Sequence, residues 1–476
     1  MNTVARVLAV VVVVIIALFA YLWRLDVASW QGDEAIFATV SDDLLDSDGA
    51  AASDIGHPPL ALFAFAAGQS IVGDDLLGVR LVGVLCGLGV AVGLFALVRR
   101  MAGWWAGILA ALAWVALPHA LVTAGVGLDK LDRYGRLEAV AALPLVFALY
   151  AGWRWVEGRD LRWAVVAGAL GGLAAAAKVT FGVALVGVVL VGAVVHRREL
   201  RAATAHAGAM AATAVGAFAL TYLPFGTDAW RRFTEMLSFQ ADHAGDGHAL
   251  RIGDTIHDTA PWWANFWFTW RDDGPVPTLV LVGLAVAAVA LPGRQRRAGA
   301  YLLVAVALPA ASLAASPVAL PHYRFVWLVP LVAAATLGVA ALWRRRDRGP
   351  MVAALAVVVL GGVAVGHLIN IATVQQSGYA EAAARVERAG LADGTVVQRG
   401  VRQVIERHLP GARLVTDLPA DVVILDRGIT DRRPDPALDA ALESPVTDGS
   451  CRAVIDQLTV MFPDGDADEC AALADR

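Results

Sequence analysis

The stretch Trp30–Ala38, with the sequence WQGDEAIFA, places two adjacent carboxylates shortly after a long apolar run, Val7–Trp23. Charge is costly to desolvate near a lipid bilayer, so the side of the membrane that Asp33 and Glu34 face decides their role. Val7–Trp23 follows Arg6, lacks a convincing cleavage site and precedes further apolar runs. It is therefore predicted to be a retained signal anchor with a cytoplasmic N-terminus.

The composition indicates that most of the chain is embedded in a membrane. Of the 476 residues, 58% are hydrophobic and 17% are charged, and the mean hydropathy is +0.62. These values lie outside the range of soluble globular domains. The net charge of -5 is unevenly distributed, and in such a chain the distribution reports topology. We predict a polytopic protein of the cell membrane with no nucleic-acid partner.

About eleven apolar runs approach the roughly 20 residues that cross a bilayer. They are Val7–Trp23, Leu77–Val98, Trp104–Val122, Ala139–Trp155, Trp163–Ala177, Val179–Val195, Ala203–Leu223, Val276–Leu291, Ala298–Ala315, Phe325–Trp343 and Met351–Ala372. Alternate connections carry arginine clusters, at Arg99–Arg100, Arg154–Arg162, Arg197–Arg201, Arg294–Arg297 and Arg344–Arg346. The positive-inside rule puts all five clusters in the cytoplasm and the C-terminus outside.

The remaining connections then face outward. The first outer loop, residues 24–76, contains two short stretches. Apolar residues recur at helical spacing between Ile36 and Leu44, which is typical of a helix in the membrane interface. Leu60–Val72 is short for a span and follows two prolines, so we predict a second juxtamembrane helix there. A large outer loop covers residues 224–275.

Motifs follow one another in order along these outer segments: GDEAIFA at 32–38, DIGHPPLALF at 54–63, DRYGRLEAV at 132–140 and PHYRFVWLVP at 321–330. The series resembles the GT-C membrane glycosyltransferases, specifically the glycosyltransferase 39 group with protein O-mannosyltransferases and lipid A aminoarabinose transferases. The resemblance covers about the first 340 residues. Leu137 stands where that group often has proline, and His57 stands where its best-known members have lysine.

The resemblance implies an inverting glycosyltransferase, of EC class 2.4, that moves a sugar from a polyprenyl-phosphate donor to an acceptor hydroxyl outside the membrane. Phosphate is a good leaving group, so such a reaction needs one base and cationic stabilisation. The first acidic residue is the base in the family, and the match carries this role to Asp33, with Glu34 second. Arg136 leads the predicted donor-phosphate ligands because guanidinium binds phosphate in bidentate fashion.

Other side chains complete the predicted site. His57, Lys178 and Arg324 are further candidates for the donor phosphate. The predicted substrate-binding residues are Asp132, Glu138, His322 and Tyr323.

Each of these residues also has an ordinary structural interpretation. An acidic pair commonly begins a helix, and His57 suits a loop. Arg136 with Glu138 suits a solvated ion pair, and Lys178 suits a side chain that reaches the interface. The order of the motifs favours function for Asp33.

The large outer loop offers a weaker candidate site. Histidines and aspartates are mixed there, at Asp242, His243, Asp246, His248, Asp254, His257 and Asp258. Their spacing matches no standard metal site, so a divalent ion such as Mg²⁺ or Mn²⁺ stays an alternative without assigned ligands. The aromatic run Pro261–Trp270 fits an interfacial belt better than a sugar-stacking platform.

After about Thr373 the composition becomes polar, which predicts a transmembrane module over residues 1–373 and a small extracytoplasmic α/β domain over residues 374–476. Strands are predicted at Thr395–Gln398, Arg413–Thr416 and Asp421–Leu425, and helices at Glu381–Ala389 and Val401–His408. Cys451 and Cys470 lie close together in this tail, and a disulfide between them suits an oxidising compartment.

Two other function classes are alternatives for a chain with many membrane spans. A transporter or lipid flippase would carry charges near the middle of the membrane and an inverted repeat, whereas the acidic groups here gather in outer loops. An inactive membrane scaffold is the third class. No motif distinguishes one sugar from another, and the acceptor is left open among glycan, lipid and protein. High use of Ala, Val, Arg and Gly is typical of a GC-rich bacterium, such as an actinobacterium that builds cell-wall glycans.

Overall fold

The computed structural model describes residues 3–28, 30, 32–46, 56–118, 120–123, 127–247, 250–252, 255–290, 294–373, 378–415, 419–426, 450–455 and 458–474. Its helices up to residue 373 are α1 (Thr3–Leu22), α2 (Gly32–Asp46), α3 (Leu60–Val72), α4 (Asp75–Ala102), α5 (Trp104–Ala116), α6 (Leu137–Gly158), α7 (Leu161–Ala177), α8 (Val183–Val195), α9 (Leu200–Leu220), α10 (Ala229–Asp246), α11 (Ala264–Asp273), α12 (Pro275–Val289), α13 (Arg294–Ala314), α14 (Phe325–Trp343) and α15 (Gly349–Thr373). Two antiparallel hairpins accompany them, β1 (Ala120–Thr123) with β2 (Gly127–Lys130) and β3 (Leu250–Ile252) with β4 (Thr255–His257).

Among the described residues, seven helices are long and apolar enough to cross a membrane: α1, α4, α6, α9, α13, α14 and α15, some with an adjoining turn. An eighth candidate is the pair α11 and α12, which bends by 112°. The shorter apolar helices α5, α7 and α8 complete the set, so every predicted span coincides with a helix. The number of crossings and their orientation stay predictions.

One predicted span is too long. The run Trp104–Val122 was expected to be continuous, but α5 ends at Ala116 and an extended segment begins at Ala120. Pro118 lies between them and explains the break, because proline disfavours helical conformation in the residue before it and cannot donate a backbone hydrogen bond.

The two short helices of the first outer loop are present where the sequence predicts them. The apolar periodicity from Ile36 to Leu44 lies within α2, and α3 covers Leu60–Val72 directly after Pro59. Gly73 ends α3 in the left-handed conformation, with φ of 70°, and its N–H donates to the Gln69 carbonyl.

Arginine-bearing turns that are far apart in sequence meet at one end of the helical bundle. Arg100 donates to Glu157 at 2.9 Å, Arg159 pairs with Glu199, and Arg344 donates to the Ala102 carbonyl at 2.7 Å. Four of the predicted cytoplasmic clusters are thereby brought together, which is the arrangement that a single membrane side requires.

The region after residue 378 folds around a mixed sheet. Its elements are α16 (Tyr379–Arg388), β5 (Thr395–Arg399), α17 (Arg402–His408), β6 (Arg413–Val415), β7 (Val422–Asp426), β8 (Cys451–Ile455), β9 (Leu458–Phe462) and α18 (Ala467–Ala474). The strand order is β6-β5-β7-β9-β8, with β5 parallel to β6 and β7 and with β9 antiparallel to its neighbours. The predicted strands and helices of this tail are present; β8, β9 and α18 were not predicted.

A disulfide joins Cys451, at the start of β8, to Cys470 in α18, with their Cα atoms 5.5 Å apart. The bond closes a loop with a sequence separation of 19 residues. It ties the last helix to the edge strand of the sheet, and Arg385 of α16 also holds this helix by donating to the Leu473 carbonyl at 2.6 Å. Cys86 is buried inside α4.

Replacing Cys451 and Cys470 by serine together is expected to destabilise the C-terminal region by about 3 kcal/mol, the entropic effect of closing a loop of this length. Denaturant unfolding of the full-length protein in detergent, followed by proteolysis of the C-terminal region, measures the change. Cys86→Ser is the control. A loss no larger than that of the control would contradict the expectation.

Candidate active site

The two carboxylates of GDEAIFA both lie in the first turn of α2, where acidic side chains complement the helix dipole. Successive helical residues point about 100° apart, so Asp33 and Glu34 face different surroundings. The Asp33 side chain is 39% exposed, whereas Glu34 is fully buried. A rotation of about 100° within one turn thus separates an accessible carboxylate from an inaccessible one.

Glu34 forms a buried, bidentate ion pair with Arg80 of α4. The Arg80 Nε and Nη2 atoms donate to the two Glu34 carboxylate oxygens, each at 2.9 Å, and the Gly135 N–H donates to Glu34 Oε1 at 3.0 Å. Arg80 Nη1 also donates to the carbonyls of Leu25 and Ala28 at 2.7 and 3.0 Å. This ion pair and its backbone hydrogen bonds join α2 to α4, to the segment after α1 and to the loop before α6.

A cavity of about 320 Å³ opens beside the first turns of α2. Segments from distant parts of the chain line it: Asp33, Ile36, Phe37, Val40, Gly56, His57, Leu62, Glu138, Lys178, Phe239, His243, Leu320, His322 and Tyr323. The walls combine apolar and aromatic side chains with a few convergent polar groups, which is typical of ligand sites.

Carboxylates and cations alternate at the polar end of this cavity. Arg136 pairs with Asp33, and Lys178 pairs with Glu138. His322 Nε2 lies between the two pairs, 3.7 Å from Asp33 Oδ2 and 3.6 Å from Glu138 Oε1. Three of the predicted motifs and the turn between α7 and α8 therefore meet at one point.

The charge of Asp33 is fixed by these neighbours. Burial alone would raise the pKa of the Asp33 carboxyl, but the Arg136 guanidinium, with smaller contributions from His322 and Lys178, holds this pKa well below its ordinary value. Asp33 is therefore ionised throughout the neutral range, as a group that accepts a proton must be.

His57 carries no charge at neutral pH. Burial first, and then the positive charge of Lys178, lower the pKa of His57 to about 4. Its ring packs edge-on against Phe37 and Phe239, with centroids 5.7 and 5.8 Å apart, and the Gln240 amide lies 3.5 Å from His57 Nδ1. His57 is thus a neutral hydrogen-bonding group, and the cations at the cavity are Arg136 and Lys178.

Tyr323 connects Lys178 to the helix above the cavity. The Lys178 ammonium lies 4.3 Å from the centre of the Tyr323 ring, and the Tyr323 hydroxyl is 3.4 Å from Nε2 of His243 in α10. Gln240 of α10 also donates to the Gly56 carbonyl at 2.7 Å. Helix α10 therefore closes one side of the cavity.

Three predicted site residues, Glu34, Asp132 and Arg324, have buried partners elsewhere and do not line the cavity, and Arg136 lies beside the cavity as the ion-pair partner of Asp33. Asp132 accepts from the Tyr21 hydroxyl at 2.6 Å and lies 3.9 Å from the Lys130 ammonium. Arg324 donates to the Phe268 carbonyl at 2.6 Å and to Asp272 at 3.2 Å. With Glu34, these residues hold the segments that carry the cavity's polar groups.

Among the described residues, no three or more His, Cys, Asp or Glu side chains lie close enough together to bind a metal ion. Two members of the mixed histidine and aspartate set, His248 and Asp254, lie outside the described residues. In the aromatic run, Trp262 and Trp270 are exposed, which fits the predicted interfacial belt.

The sequence analysis missed Arg80, Phe239 and Gln240. Arg80 carried a usable signal, because a charged residue inside an apolar run is a functional or structural group by default. Phe239 and Gln240 carried no such signal, because only the packing of α10 against the cavity brings them there.

Glu34→Gln or Arg80→Gln is expected to lower the free energy of unfolding by about 3–5 kcal/mol, because either change leaves the other buried charge without its partner. Unfolding by SDS in mixed micelles measures this loss. Glu157→Gln removes the exposed pair with Arg100 and should cost less than about 1 kcal/mol. Equal losses in the buried and exposed variants would contradict the interpretation.

Stability is expected to fall as the pH is lowered from 7 to 5. The unfolded histidine binds its proton near pH 6.5, whereas folded His57 does so only near pH 4, so acid favours the unfolded state between those values. His57→Gln should weaken this dependence. His408, whose pKa is also lowered to about 4, first by burial and then by Arg80, contributes in the same direction.

The test compares the SDS unfolding midpoints of the wild type and of His57→Gln at pH 5, 6 and 7. The same midpoint shift in wild type and His57→Gln would show that His57 does not contribute.

Comparison with known proteins supports the fold. Residues 56–222 match the family model described as dolichyl-phosphate-mannose-protein mannosyltransferase. ArnT from Cupriavidus metallidurans in the apo state is 16% identical, with a TM-score of 0.59, over 100% of this chain and 99% of ArnT. The same protein bound to undecaprenyl phosphate is 15% identical, with a TM-score of 0.57, over 97% of this chain and 98% of ArnT.

A second kind of solved structure has the same fold. The archaeal oligosaccharyltransferase AglB from Archaeoglobus fulgidus, in complex with an inhibitory peptide and a dolichol-phosphate, is 11% identical with a TM-score of 0.54, over 89% of this chain and 70% of AglB. No curated protein sequence matches the chain. The family match over residues 56–222 and the fold shared with ArnT and AglB confirm the predicted resemblance to the GT-C membrane glycosyltransferases.

Proposed function

We propose that the protein transfers a sugar from a polyprenyl-phosphate donor to an acceptor hydroxyl outside the cytoplasmic membrane, with Asp33 as the base. One observation carries the proposal: the ionised Asp33 carboxylate and the Lys178 cation line one end of a cavity, and Arg136 lies beside it as the ion-pair partner of Asp33. A base beside fixed positive charge is what attack on a phosphate-linked sugar needs.

The reaction is a single displacement at the sugar carbon. Asp33 takes the proton of the acceptor hydroxyl as its oxygen bonds to the anomeric carbon. The bond from that carbon to the phosphate oxygen breaks, and polyprenyl phosphate leaves with the electron pair. Attack from the side opposite the phosphate inverts the configuration of the sugar.

The ion pairs explain how the cavity holds charge before and after a donor binds. Each cation is paired with a carboxylate, Arg136 with Asp33 and Lys178 with Glu138, which offsets the cost of burying it. A donor phosphate competes for the same guanidinium and ammonium hydrogens. When Arg136 turns towards the phosphate, Asp33 is freed to receive the acceptor proton.

Neutral groups orient the substrates beside this charge. His57 is uncharged and offers one hydrogen bond without competing for the phosphate as a cation. His322 lies within 3.7 Å of both carboxylates and serves to position the acceptor hydroxyl between them. Tyr323 shields Lys178 from the apolar wall.

The relatives support the class of donor. The ArnT structure contains undecaprenyl phosphate, and the AglB structure contains a dolichol-phosphate. Both ligands are polyprenyl phosphates. The apolar and aromatic lining beside the cations, including Ile36, Phe37 and Phe239, suits a ligand that joins a phosphate to a hydrocarbon chain.

The membrane arrangement belongs to the same proposal. We infer about eleven spans with the N-terminus inside, a transmembrane module over residues 1–373 and an extracytoplasmic α/β domain over residues 374–476. The meeting of the arginine-bearing turns at one end of the bundle supports this topology, because the positive-inside rule assigns that end to the cytoplasm. The cavity residues then lie at the outer surface of the cell membrane.

Asp33→Asn is expected to lower kcat by about 10²–10⁴-fold, the usual contribution of a general base. The measurement is release of free polyprenyl phosphate, followed by mass spectrometry, over a panel of polyprenyl-phosphate sugars with cell-envelope extract as acceptor. Asp43→Asn is the matched control, because Asp43 lies on the same helix and does not line the cavity.

Release that persists in Asp33→Asn would rule out this base. Absence of release from every donor by folded wild-type protein would overturn the transfer reaction and favour a transporter.

A further inference from the structure

Helix α17 of the C-terminal region lies along α2, the helix that carries Asp33. Arg407 of α17 forms the polar part of this contact. Its Nη2 donates to Asp42 at 2.8 Å and lies 3.4 Å from the Thr39 hydroxyl, and its Nη1 pairs with Asp75 at the start of α4. The guanidinium carbon also lies 4.7 Å from the centre of the Trp30 ring.

The same two helices meet closely at the other end of the contact. A Cβ atom at Gly32 would lie 2.8 Å from Cγ2 of Val401, the residue before α17. Only a glycine lets the backbone before Asp33 approach Val401 so closely without displacement. Contacts from the C-terminal region therefore hold α2 at Gly32 and again at Asp42.

Arg407 differs from the other cation on its helix. Its side chain is 17% exposed and is bound to two carboxylates and an aromatic ring. Arg402 is 66% exposed and pairs only within α17, with Glu406, an arrangement that contributes little to stability. Arg407 is thus the residue that joins α17 to the membrane module.

The C-terminal region also reaches the buried pair beneath Asp33. His408 lies near enough to Arg80 that this positive charge, after burial, lowers the pKa of the histidine. Val404 and Ile405 of α17 are buried in the hydrophobic core. The helix therefore connects the C-terminal region to the helix that carries both carboxylates.

We propose that the C-terminal α/β region fixes the position of the Asp33 carboxylate by clamping α2 through Arg407 and Val401. Arg407 is a positioning residue for sugar transfer, which rests on the function proposed above. The physical reason is geometric, because a displacement of about 1 Å at a reacting group, caused by a change far from the chemistry, can cost about 10²-fold in rate. The region is part of the catalytic machinery without touching the substrate.

The test compares Arg407→Gln, Arg407→Lys and Arg402→Gln in the full-length protein. Hydrogen–deuterium exchange of residues 32–46 reports the clamp, and kcat and KM for a polyprenyl-phosphate sugar report the reaction. Arg407→Gln should speed exchange in α2 and lower kcat about 10-fold, with KM for the donor within twofold of wild type. Arg407→Lys should restore part of both values, and Arg402→Gln should match wild type.

A second pair of variants tests the close contact. Gly32→Ala should displace α2 and lower kcat about 10-fold, and Val401→Ala in the same chain should restore it, because the smaller side chain makes room for the new methyl group. This pair, with Arg407→Lys, decides the question if Arg407→Gln does not fold.

Wild-type exchange in α2 together with wild-type kcat in Arg407→Gln would overturn the clamp. A wild-type protein without transfer activity would overturn the proposed function alone, since the exchange rates of the Arg407 and Arg402 variants would still show whether α17 holds α2.

Discussion

The bidentate ion pair between Glu34 and Arg80 orients the helix on which the site is built. Both side chains are fully buried, and Arg80 also binds backbone carbonyls at the end of α1. With Glu34 held against α4, the preceding residue points about 100° away, towards the cavity. Two adjacent carboxylates thereby acquire different surroundings, one buried and one accessible, because of a single charge in the first turns of an apolar helix.

The cavity shows how a site near a membrane keeps charge without a permanent excess of either sign. Asp33 and Glu138 are each matched by a cation, and His57 is held neutral by burial and by Lys178. Under the proposed function, a phosphate or a hydroxyl replaces these partners when substrate binds. Such an exchange would distinguish a transfer site from an ion pathway, in which charges follow one another across the membrane.

The sequence predicts most of the fold and part of the site. Apolar runs locate the helices because a bilayer demands them, and alternation locates the strands of the tail. Asp33, Glu138, His322 and Tyr323 lie together as the order of motifs implies. Lys178 lies with them although it comes from the turn between α7 and α8, where its charge was the only sequence signal of a functional residue. Asp132 and Arg324 do not line the cavity, because a motif fixes residue type and order but not the direction of a side chain. Arg80 and α10 depend on packing between segments more than 40 residues apart, which periodicity does not record.

The contact between α17 and α2 also bears on how the protein is made. Arg407 and Asp42 are 365 residues apart in sequence, so nearly the whole chain must be synthesised before they can meet. During insertion, α3 and α4 are synthesised soon after α2 and can pack against it early. The surface of α2 that contacts Arg407 and Val401 stays uncovered until the last part of the chain is synthesised. Under the proposed clamp, a truncated or stalled chain would carry every motif of the active site and still be a poor catalyst. Completion of the chain would therefore act as a checkpoint on activity, set by the order of synthesis.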